Sequence, residues 1–165
     1  MNIRKLLITA LLVSFALILS FVETFVPVLS IPGAKLGLAN IATLLALYMY
    51  DFKTSIIVVL LRIMLAAFMF THFTALIYSL SGGIISLAAM YLTMKLANDK
   101  LSIIGVSIIG AIFHNIAQLA VAVFVLNTIH ILLLAPYLML LGIVTGIFTG
   151  ISSKYLLKYS SKVIK

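Results

Sequence analysis

Seven polar residues in an otherwise apolar chain have side chains suited to binding a charged small molecule. The arginine and the lysine suit carboxylate and phosphate oxygens, and the amides and the histidine donate and accept hydrogen bonds. Two cations accompany a single acid, so this set favours an anionic or partly anionic ligand. We predict a substrate-binding site made of Glu23, Lys35, Asn40, Arg62, His114, Asn115 and Gln118.

The composition of the chain is that of a membrane protein. Of its 165 residues, 65% are hydrophobic and 8% are charged, and the mean hydropathy is +1.35. A soluble domain is about 45 to 50% apolar and about 25% charged. Because a transmembrane helix takes about 20 residues, the chain has room for roughly six. The net charge of +8 then indicates membrane topology rather than nucleic-acid binding, and no nucleic-acid partner is predicted.

Short polar connections divide the chain into six apolar stretches. They predict an all-α integral membrane protein, a bundle of six transmembrane helices in one domain over residues 1–165. The first stretch follows two basic residues but is too long for a signal peptide, so it predicts a membrane span. The predicted helices cover about 6–26, 36–50, 54–70, 73–96, 101–126 and 131–152, followed by a basic cytoplasmic tail over 153–165.

The basic residues lie mostly on one side of this arrangement. With a cytoplasmic N-terminus, Lys35 lies outside and Arg62 lies within a span. The other basic residues all face the cytoplasm, namely Arg4, Lys5, Lys53, Lys95, Lys100, Lys154, Lys158, Lys162 and Lys165. The positive-inside rule therefore predicts that both termini are cytoplasmic.

The helical rise converts sequence position into membrane depth. Arg62 follows Thr54 by roughly 12 Å, near the middle of the membrane. His114 reaches a similar depth, whereas Gln118 and Glu23 lie in the outer half. A charge at the centre of a transmembrane helix costs about 2.5 to 3.5 kcal/mol, so Arg62 must face protein, a partner charge or water. The predicted pocket therefore opens outward.

Each of these residues also has a purely structural interpretation. Arg62 and Glu23 suit a buried ion pair, the polar residues of the fifth helix suit interhelical hydrogen bonds, and Lys35 suits snorkelling to the interface. The three histidines have no spacing that demands haem or a metal, and the absence of cysteine excludes thiolate sites. No cofactor and no metal are predicted.

Small residues recur at helical spacing in the first and last helices. Gly142, Gly146 and Gly150 lie four residues apart, as do Ala10 and Ser14. Such spacing lets two helices approach closely. It predicts either packing within the chain or an interface with a partner.

Five segments of the sequence resemble one known family. They are ETFVPVLSIPGAKLGLAN over 23–40, LLR over 60–62, SGG over 81–83, GAIFHNIAQ over 110–118 and GIVTGIFTG over 142–150. The resemblance covers about residues 5 to 158. The family is the Gx transporter family, also labelled heptaprenyl diphosphate synthase component I.

This family is in turn similar to the substrate-binding S components of energy-coupling-factor transporters. Those are six-helix proteins that bind a vitamin or related small molecule in an outward-facing pocket, beside a transmembrane T subunit and two ATPases. The resemblance implies a multi-pass subunit of an uptake transporter in the cell membrane. Its ligand would be anionic and resemble a vitamin or an isoprenoid precursor, and its partners would include membrane lipid, the T subunit and the ATPases.

The older family label implies an alternative, a non-catalytic membrane component of heptaprenyl diphosphate or menaquinone biosynthesis beside a prenyl diphosphate synthase subunit. The usual synthases hold Mg²⁺ with aspartate-rich DDxxD motifs. The acids of this chain are Glu23, Asp51 and Asp99, which are scattered, and there is no GxxxxGK[ST] loop. No catalytic residue is predicted, and the chain is at most an accessory subunit. A weaker third class is a membrane subunit of an electron-transfer assembly.

Overall fold

A computed structural model describes residues 2–25, 35–97 and 100–163, with side chains described as far as residue 159. The described residues form helices and no strand, which confirms the all-α prediction. The helices are α1 (Ile3–Glu23), α2 (Asn40–Met49), α3 (Phe52–Met69), α4 (Phe73–Ala97), α5 (Ile103–Leu126) and α6 (Ala135–Val163). A 3₁₀ helix at Ile129–Leu134 precedes α6.

Local signals explain where several of these helices begin and end. Asp51 caps α3 by accepting the backbone N–H of Thr54 at 2.7 Å, and Ser102 caps α5 by accepting that of Gly105 at 3.2 Å. Asn127 ends α5 with a left-handed backbone, φ 48°. These caps fix the helix boundaries at the connections that the sequence predicts to be short.

Five helical segments are long and apolar enough to cross a membrane. They are α1, α3, α4, α5 and the run Ile129–Tyr159. By length and composition the chain is therefore a multi-pass membrane protein. Helix α2 has only 10 residues, or about 15 Å, which is half the thickness of the hydrocarbon core.

Two helices differ in extent from the sequence-based prediction. Residues 35–39 are not helical, and Gly37 has φ +85°, so α2 is shorter than the predicted 36–50. Helix α6 continues to Val163 instead of ending near 152, because no glycine or proline follows Gly150. Residues 26–34, Asp99 and Lys165 lie outside the described residues.

Helix α2 lies at the centre of the bundle. Residues 41–47 are all buried, and α2 contacts α1, α3, α4 and α6. Leu44 of α2 packs with Val59 of α3 and Leu87 of α4. Because α2 is short and buried, its first turn and residues 35–39 lie within the membrane-spanning part of the bundle. Backbone N–H and C=O groups at this depth must be hydrogen-bonded by protein.

One end of the bundle collects most of the positive charge. Lys5 and Asp51 join the start of α1 to the start of α3, and Phe52 contacts Tyr91 near the end of α4 with 4.8 Å between ring centroids. We call this the basic end. Its described basic residues are Arg4, Lys5, Lys53, Lys95, Lys100, Lys154 and Lys158.

The glycines of α6 pack directly on α5. A Cβ atom placed on Gly146 would lie 2.5 Å from Cα of Ile108, and one on Gly150 would lie 2.7 Å from Cα of Ile104. These glycines therefore join two helices of the same chain. Ala10 and Ser14, by contrast, lie on the exposed face of α1.

Candidate functional site

Five of the predicted site residues come together around the first turn of α2. We call them the polar cluster: Glu23, Asn40, Arg62, His114 and Gln118. Each is at most 6% exposed. They come from α1, α2, α3 and α5, so the site depends on how these helices pack.

Glu23 lies at the end of α1 and faces the start of α2. Leu38 donates its backbone N–H to Oε1 of Glu23, and the backbone of Gly37 also interacts with this carboxylate. A carboxylate is favourable at a helix N-terminus, where backbone N–H groups point outward. The left-handed backbone at Gly37 turns the chain into α2 beside the carboxylate.

Arg62 extends from the middle of α3 into the same region. Its two terminal nitrogens donate to Oγ of Ser20 and to Oδ1 of Asn40, each at 3.4 Å. No salt bridge joins Arg62 to Glu23 within the described part of the chain. The two charges therefore lie near each other without direct contact.

His114 and Gln118 connect α5 to the opposite side of the cluster. Nε2 of Gln118 and Nε2 of His114 lie 2.9 Å apart, and Oε1 of Gln118 accepts the backbone N–H of Lys35 at 3.2 Å. Nδ1 of His114 lies 3.4 Å from Nδ2 of Asn40. Since a neutral imidazole has a single acceptor nitrogen, only one of these two amides can donate to the ring.

The histidine ring lies between two glycines. A Cβ atom on Gly82 would lie 2.7 Å from Cε1 of the ring, and one on Gly37 would lie 3.4 Å from Cδ2. The first distance is far below an ordinary van der Waals contact. Gly82 therefore provides the space that the ring of His114 occupies.

Two polar atoms of the cluster have no hydrogen-bond partner among the described residues. They are Oε2 of Glu23 and Nε of Arg62, and they belong to a set of four such buried side-chain atoms. Buried polar groups are nearly always hydrogen-bonded, so an unpartnered pair with opposite charges requires an explanation. The carboxylate oxygen can accept a further hydrogen bond and the guanidinium nitrogen can donate one, to water or to a polar ligand.

The structure does not bring the other two predicted residues fully into the cluster. Nδ2 of Asn115 donates to the backbone carbonyl of Leu138 at 2.7 Å, so this amide joins α5 to α6. Lys35 donates its backbone N–H to Gln118, and its half-buried side chain lies close enough to interact electrostatically with Glu23 and Arg62.

Two serines contact the cluster without having been predicted to bind substrate. Ser20 is a partner of Arg62, and Oγ of Ser86 lies 3.4 Å from Nδ2 of Asn40. Ser20 precedes Glu23 by three residues, so helical periodicity places both on one face. Ser86 follows Gly82 by four residues, so the same periodicity places these two residues on one face of α4.

At the basic end, the charged contact is direct and exposed. Nζ of Lys5 lies 2.8 Å from Oδ2 of Asp51, with the side chains 28% and 49% exposed. The hydrogen bonds from Lys5 and Thr54 lower the pKa of Asp51 to about 2. The ammonium group also lies 5.1 Å from the ring centroid of Tyr50.

The described residues contain no group of three histidine, cysteine, aspartate or glutamate side chains that could hold a metal ion. The polar cluster brings together a guanidinium, a carboxylate, two amides and an imidazole, all of them buried.

Long apolar helices around a buried polar cluster define a multi-pass membrane protein with a polar interior. The chain belongs to the heptaprenyl diphosphate synthase component I family, whose model matches residues 12–156. This match confirms the family that the sequence motifs indicate. Comparison with curated proteins and with solved structures gives no significant match.

Proposed function

We propose that this protein is a non-catalytic, membrane-embedded subunit that binds a small, partly anionic molecule in the polar cluster. The observation that carries the proposal is that two buried atoms, Oε2 of Glu23 and Nε of Arg62, have no hydrogen-bond partner in the described ranges. A ligand with an anionic group for Arg62 and a donor group for Glu23 would satisfy both.

The cost of burying these charges supports a role in binding. A charge near the middle of a membrane, such as that of Arg62, costs about 2.5 to 3.5 kcal/mol, and intramembrane ionisable residues are by default functional. An ion pair that served packing alone would be expected to have its two charges in contact. Here Arg62 instead uses its terminal nitrogens for Ser20 and Asn40, and its Nε has no hydrogen-bond partner among the described residues.

The position of the cluster favours the uptake role that the family resemblance implies. The protein lies in the cell membrane as one transmembrane domain with both termini cytoplasmic, and the cluster faces the outside. Residues 35–39 cover it through Gln118 and Glu23. In this role the protein resembles an S component, with a T subunit and ATPases on partner chains driving transport.

A second candidate function follows from the family name. The chain would be the membrane component of a heptaprenyl diphosphate synthase and would assist a partner subunit that carries the catalytic carboxylates. Its own acids suit accessory work, because Glu23 is buried in the cluster and Asp51 pairs with Lys5 at the far end of α2.

The proposal can be tested by purifying the tagged protein from its native membrane in mild detergent. Mass spectrometry then identifies the proteins and the small molecules that co-purify. A T-type membrane subunit with ATPases and a water-soluble anionic compound would support the uptake role. A prenyl synthase subunit with an isoprenoid would favour the second candidate.

Two matched variants test whether any recovered compound binds in the polar cluster. Glu23→Gln and Asp51→Asn each replace one carboxylate by its amide, in the cluster and at the basic end respectively. We expect Glu23→Gln to reduce the bound compound at least tenfold and Asp51→Asn to leave it unchanged. Glu23→Asp, which keeps the charge but shortens the side chain, checks that loss of binding is not loss of folding. Equal recovery from Glu23→Gln and Asp51→Asn would overturn the proposal.

A further inference from the structure

A row of buried hydroxyl groups follows one face of α6. Thr145, Thr149 and Ser153 lie four residues apart, so they share that face, and they are 8%, 3% and 0% exposed. Oγ1 of Thr149 lies 2.7 Å from Oγ of Ser107, a buried residue of α5. The row therefore lies inside the bundle, where α6 packs on α5.

Thr43 adds a fully buried hydroxyl group from the centre of α2. On the helical wheel of α2 it lies between Ala46 and Leu47. Leu157 of α6 packs against the apolar cluster that contains Ala46. Leu47 shares a second apolar cluster with Val106 of α5, so this position directs Thr43 toward the region where α5 and α6 meet. We call these hydroxyl residues of three helices the hydroxyl seam: Thr43, Ser107, Thr145, Thr149 and Ser153.

Two hydroxyl oxygens of the seam have no hydrogen-bond partner among the described residues. They are Oγ1 of Thr43 and Oγ of Ser153. Both residues are 0% exposed. Buried hydroxyl groups are nearly always hydrogen-bonded to protein or to ordered water. The members of the seam are uncharged and can each donate and accept, which suits water as their ligand.

The seam extends from the polar cluster to the basic end. Thr43 follows Asn40 of the polar cluster by about one turn of α2. Ser153 precedes Lys154, an exposed residue of the basic end. The row from Thr145 to Ser153 is about 12 Å long at the helical rise. Polar groups therefore continue through the part of the bundle that separates the two sites.

We propose that the hydroxyl seam binds a row of water molecules that joins the polar cluster to the aqueous phase at the basic end. A buried water makes about three hydrogen bonds, and the hydroxyl groups of three helices provide partners for it. When the ligand of the polar cluster leaves, such a row supplies water to the buried charges of Glu23 and Arg62. This role rests on the proposed function, whereas the binding of water in the seam does not.

Cysteine substitution tests the seam directly, because the chain has no cysteine of its own. A thiol reacts as its thiolate, which is disfavoured in apolar surroundings. Ag⁺ is small enough to follow a row of water molecules. It replaces the proton of the thiol, so an S–Ag bond forms and the proton passes to water. The thiols that have not reacted are then alkylated in denaturant and counted by mass spectrometry.

Thr43→Cys and Val58→Cys form a matched pair in the full chain purified in detergent. Both residues are 0% exposed, and each lies about 10 Å from the end of its helix at the basic end. Val58 belongs to the apolar core, whereas Thr43 belongs to the seam. We expect Thr43→Cys and Ser153→Cys to react with Ag⁺ about tenfold faster than Val58→Cys. Equal rates for the three variants would overturn the proposal.

A second pair tests whether the row is continuous. Ser153→Val fills the seam between Thr43 and the basic end, and Ser152→Val adds the same side chain at the neighbouring position, which is not fully buried. In the Thr43→Cys background, Ser153→Val should slow the reaction about tenfold and Ser152→Val should leave it nearly unchanged. If Ser153→Val has no effect, water reaches Thr43 by another route and the proposed row is wrong.

The outcome is separable from that of the polar cluster. The proposed function is judged by the compound recovered from Glu23→Gln and Asp51→Asn, and the seam by the reaction rates of the introduced thiols. A seam that excludes Ag⁺ would leave ligand binding in the cluster unaffected. A cluster that binds no compound would leave the rates at Thr43→Cys and Ser153→Cys unaffected.

Discussion

The charged residues at the two ends of α2 differ in burial and in whether they form a direct ion pair. At its C-terminal end, Lys5 and Asp51 meet at 2.8 Å on the surface. At its N-terminal end, Glu23 and Arg62 are buried, lie close enough to interact electrostatically and do not touch. The exposed charges pair directly with each other, whereas each buried charge has one atom without a hydrogen-bond partner in the described part of the chain.

This difference indicates where binding energy is available. Exposed ion pairs contribute roughly 0 to 1 kcal/mol, because water already solvates both partners. Buried charges without full partners are costly, and a ligand that completes them recovers part of that cost. Under the proposed function, the buried end of α2 is the end at which a small polar molecule would gain most by binding.

The largest effect is expected when the buried charges are unbalanced. Arg62→Leu leaves Glu23 as an uncompensated buried carboxylate, so we expect the free energy of unfolding to fall by about 3 to 5 kcal/mol. Circular dichroism during unfolding by sodium dodecyl sulfate in mixed micelles measures this change.

A double variant tests the electrostatic cause. Adding Glu23→Gln to Arg62→Leu removes the uncompensated charge and keeps an acceptor for the N–H of Leu38. We expect the double variant to recover roughly half of the lost stability. If it is as unstable as Arg62→Leu alone, packing of the arginine stem is responsible instead.

A smaller effect is expected from crowding the histidine. Gly82→Ala places a methyl group 2.7 Å from Cε1 of His114, and overpacking of this kind typically costs about 1 to 3 kcal/mol. It should also reduce the compound recovered with the protein, because the ring is held by Gln118. Unfolding in mixed micelles and mass spectrometry measure the two effects.

Gly105→Ala is the matched control at the basic end. A Cβ atom there would meet only side-chain atoms of Leu101 and Ser102, at 3.2 and 3.7 Å. Alanine is favoured over glycine within helices by roughly 0.5 to 1 kcal/mol, so this variant should be neutral or slightly stabilising. An equal loss of unfolding free energy from Gly82→Ala and Gly105→Ala would contradict the expected difference between the two ends of the bundle.

Helical periodicity explains which part of the site could be predicted. His114 and Gln118 are four residues apart and share a face of α5, so both reach the cluster. Asn115 lies about 100° further round the helix and meets α6 instead. The depth of Asn115 was predictable, but its neighbours depended on the arrangement of the helices around α5.

The length of α2 could not be predicted from hydropathy. The stretch 36–50 is apolar nearly throughout, and its first residues are no less hydrophobic than the helix that follows. The turn at Gly37 and the hydrogen bond from Leu38 to Glu23 keep the preceding residues out of the helix, so α2 begins only at Asn40. Both depend on tertiary contact between α1 and the chain before α2.

Asn115→Ala tests whether Asn115 lies outside the polar cluster. The substitution leaves the carbonyl of Leu138 without its donor, so we expect a loss of about 1 to 3 kcal/mol in unfolding free energy. Because the amide joins α5 to α6, the compound bound in the cluster should remain. Unfolding curves and mass spectrometry of the same preparation report both quantities. Loss of the compound at unchanged stability would place Asn115 in the binding site.

The smallest effect is expected at the exposed pair. Asp51→Asn keeps the helix cap on Thr54 but removes the charge that faces Lys5, so the loss should be within roughly 0 to 1 kcal/mol at neutral pH. The pKa of Asp51 falls from 3.8 to about 2 in the folded protein. A lowered pKa stabilises the fold above pH 3.8, and this contribution is lost as the pH falls toward 2.

The difference in unfolding free energy between the wild type and Asp51→Asn should therefore be constant above about pH 5 and vanish near pH 2. It should also shrink at high salt, which screens exposed charges but not buried ones. A difference of several kcal/mol that resists salt would mean that the basic end depends on its ion pair as strongly as the polar cluster depends on Arg62.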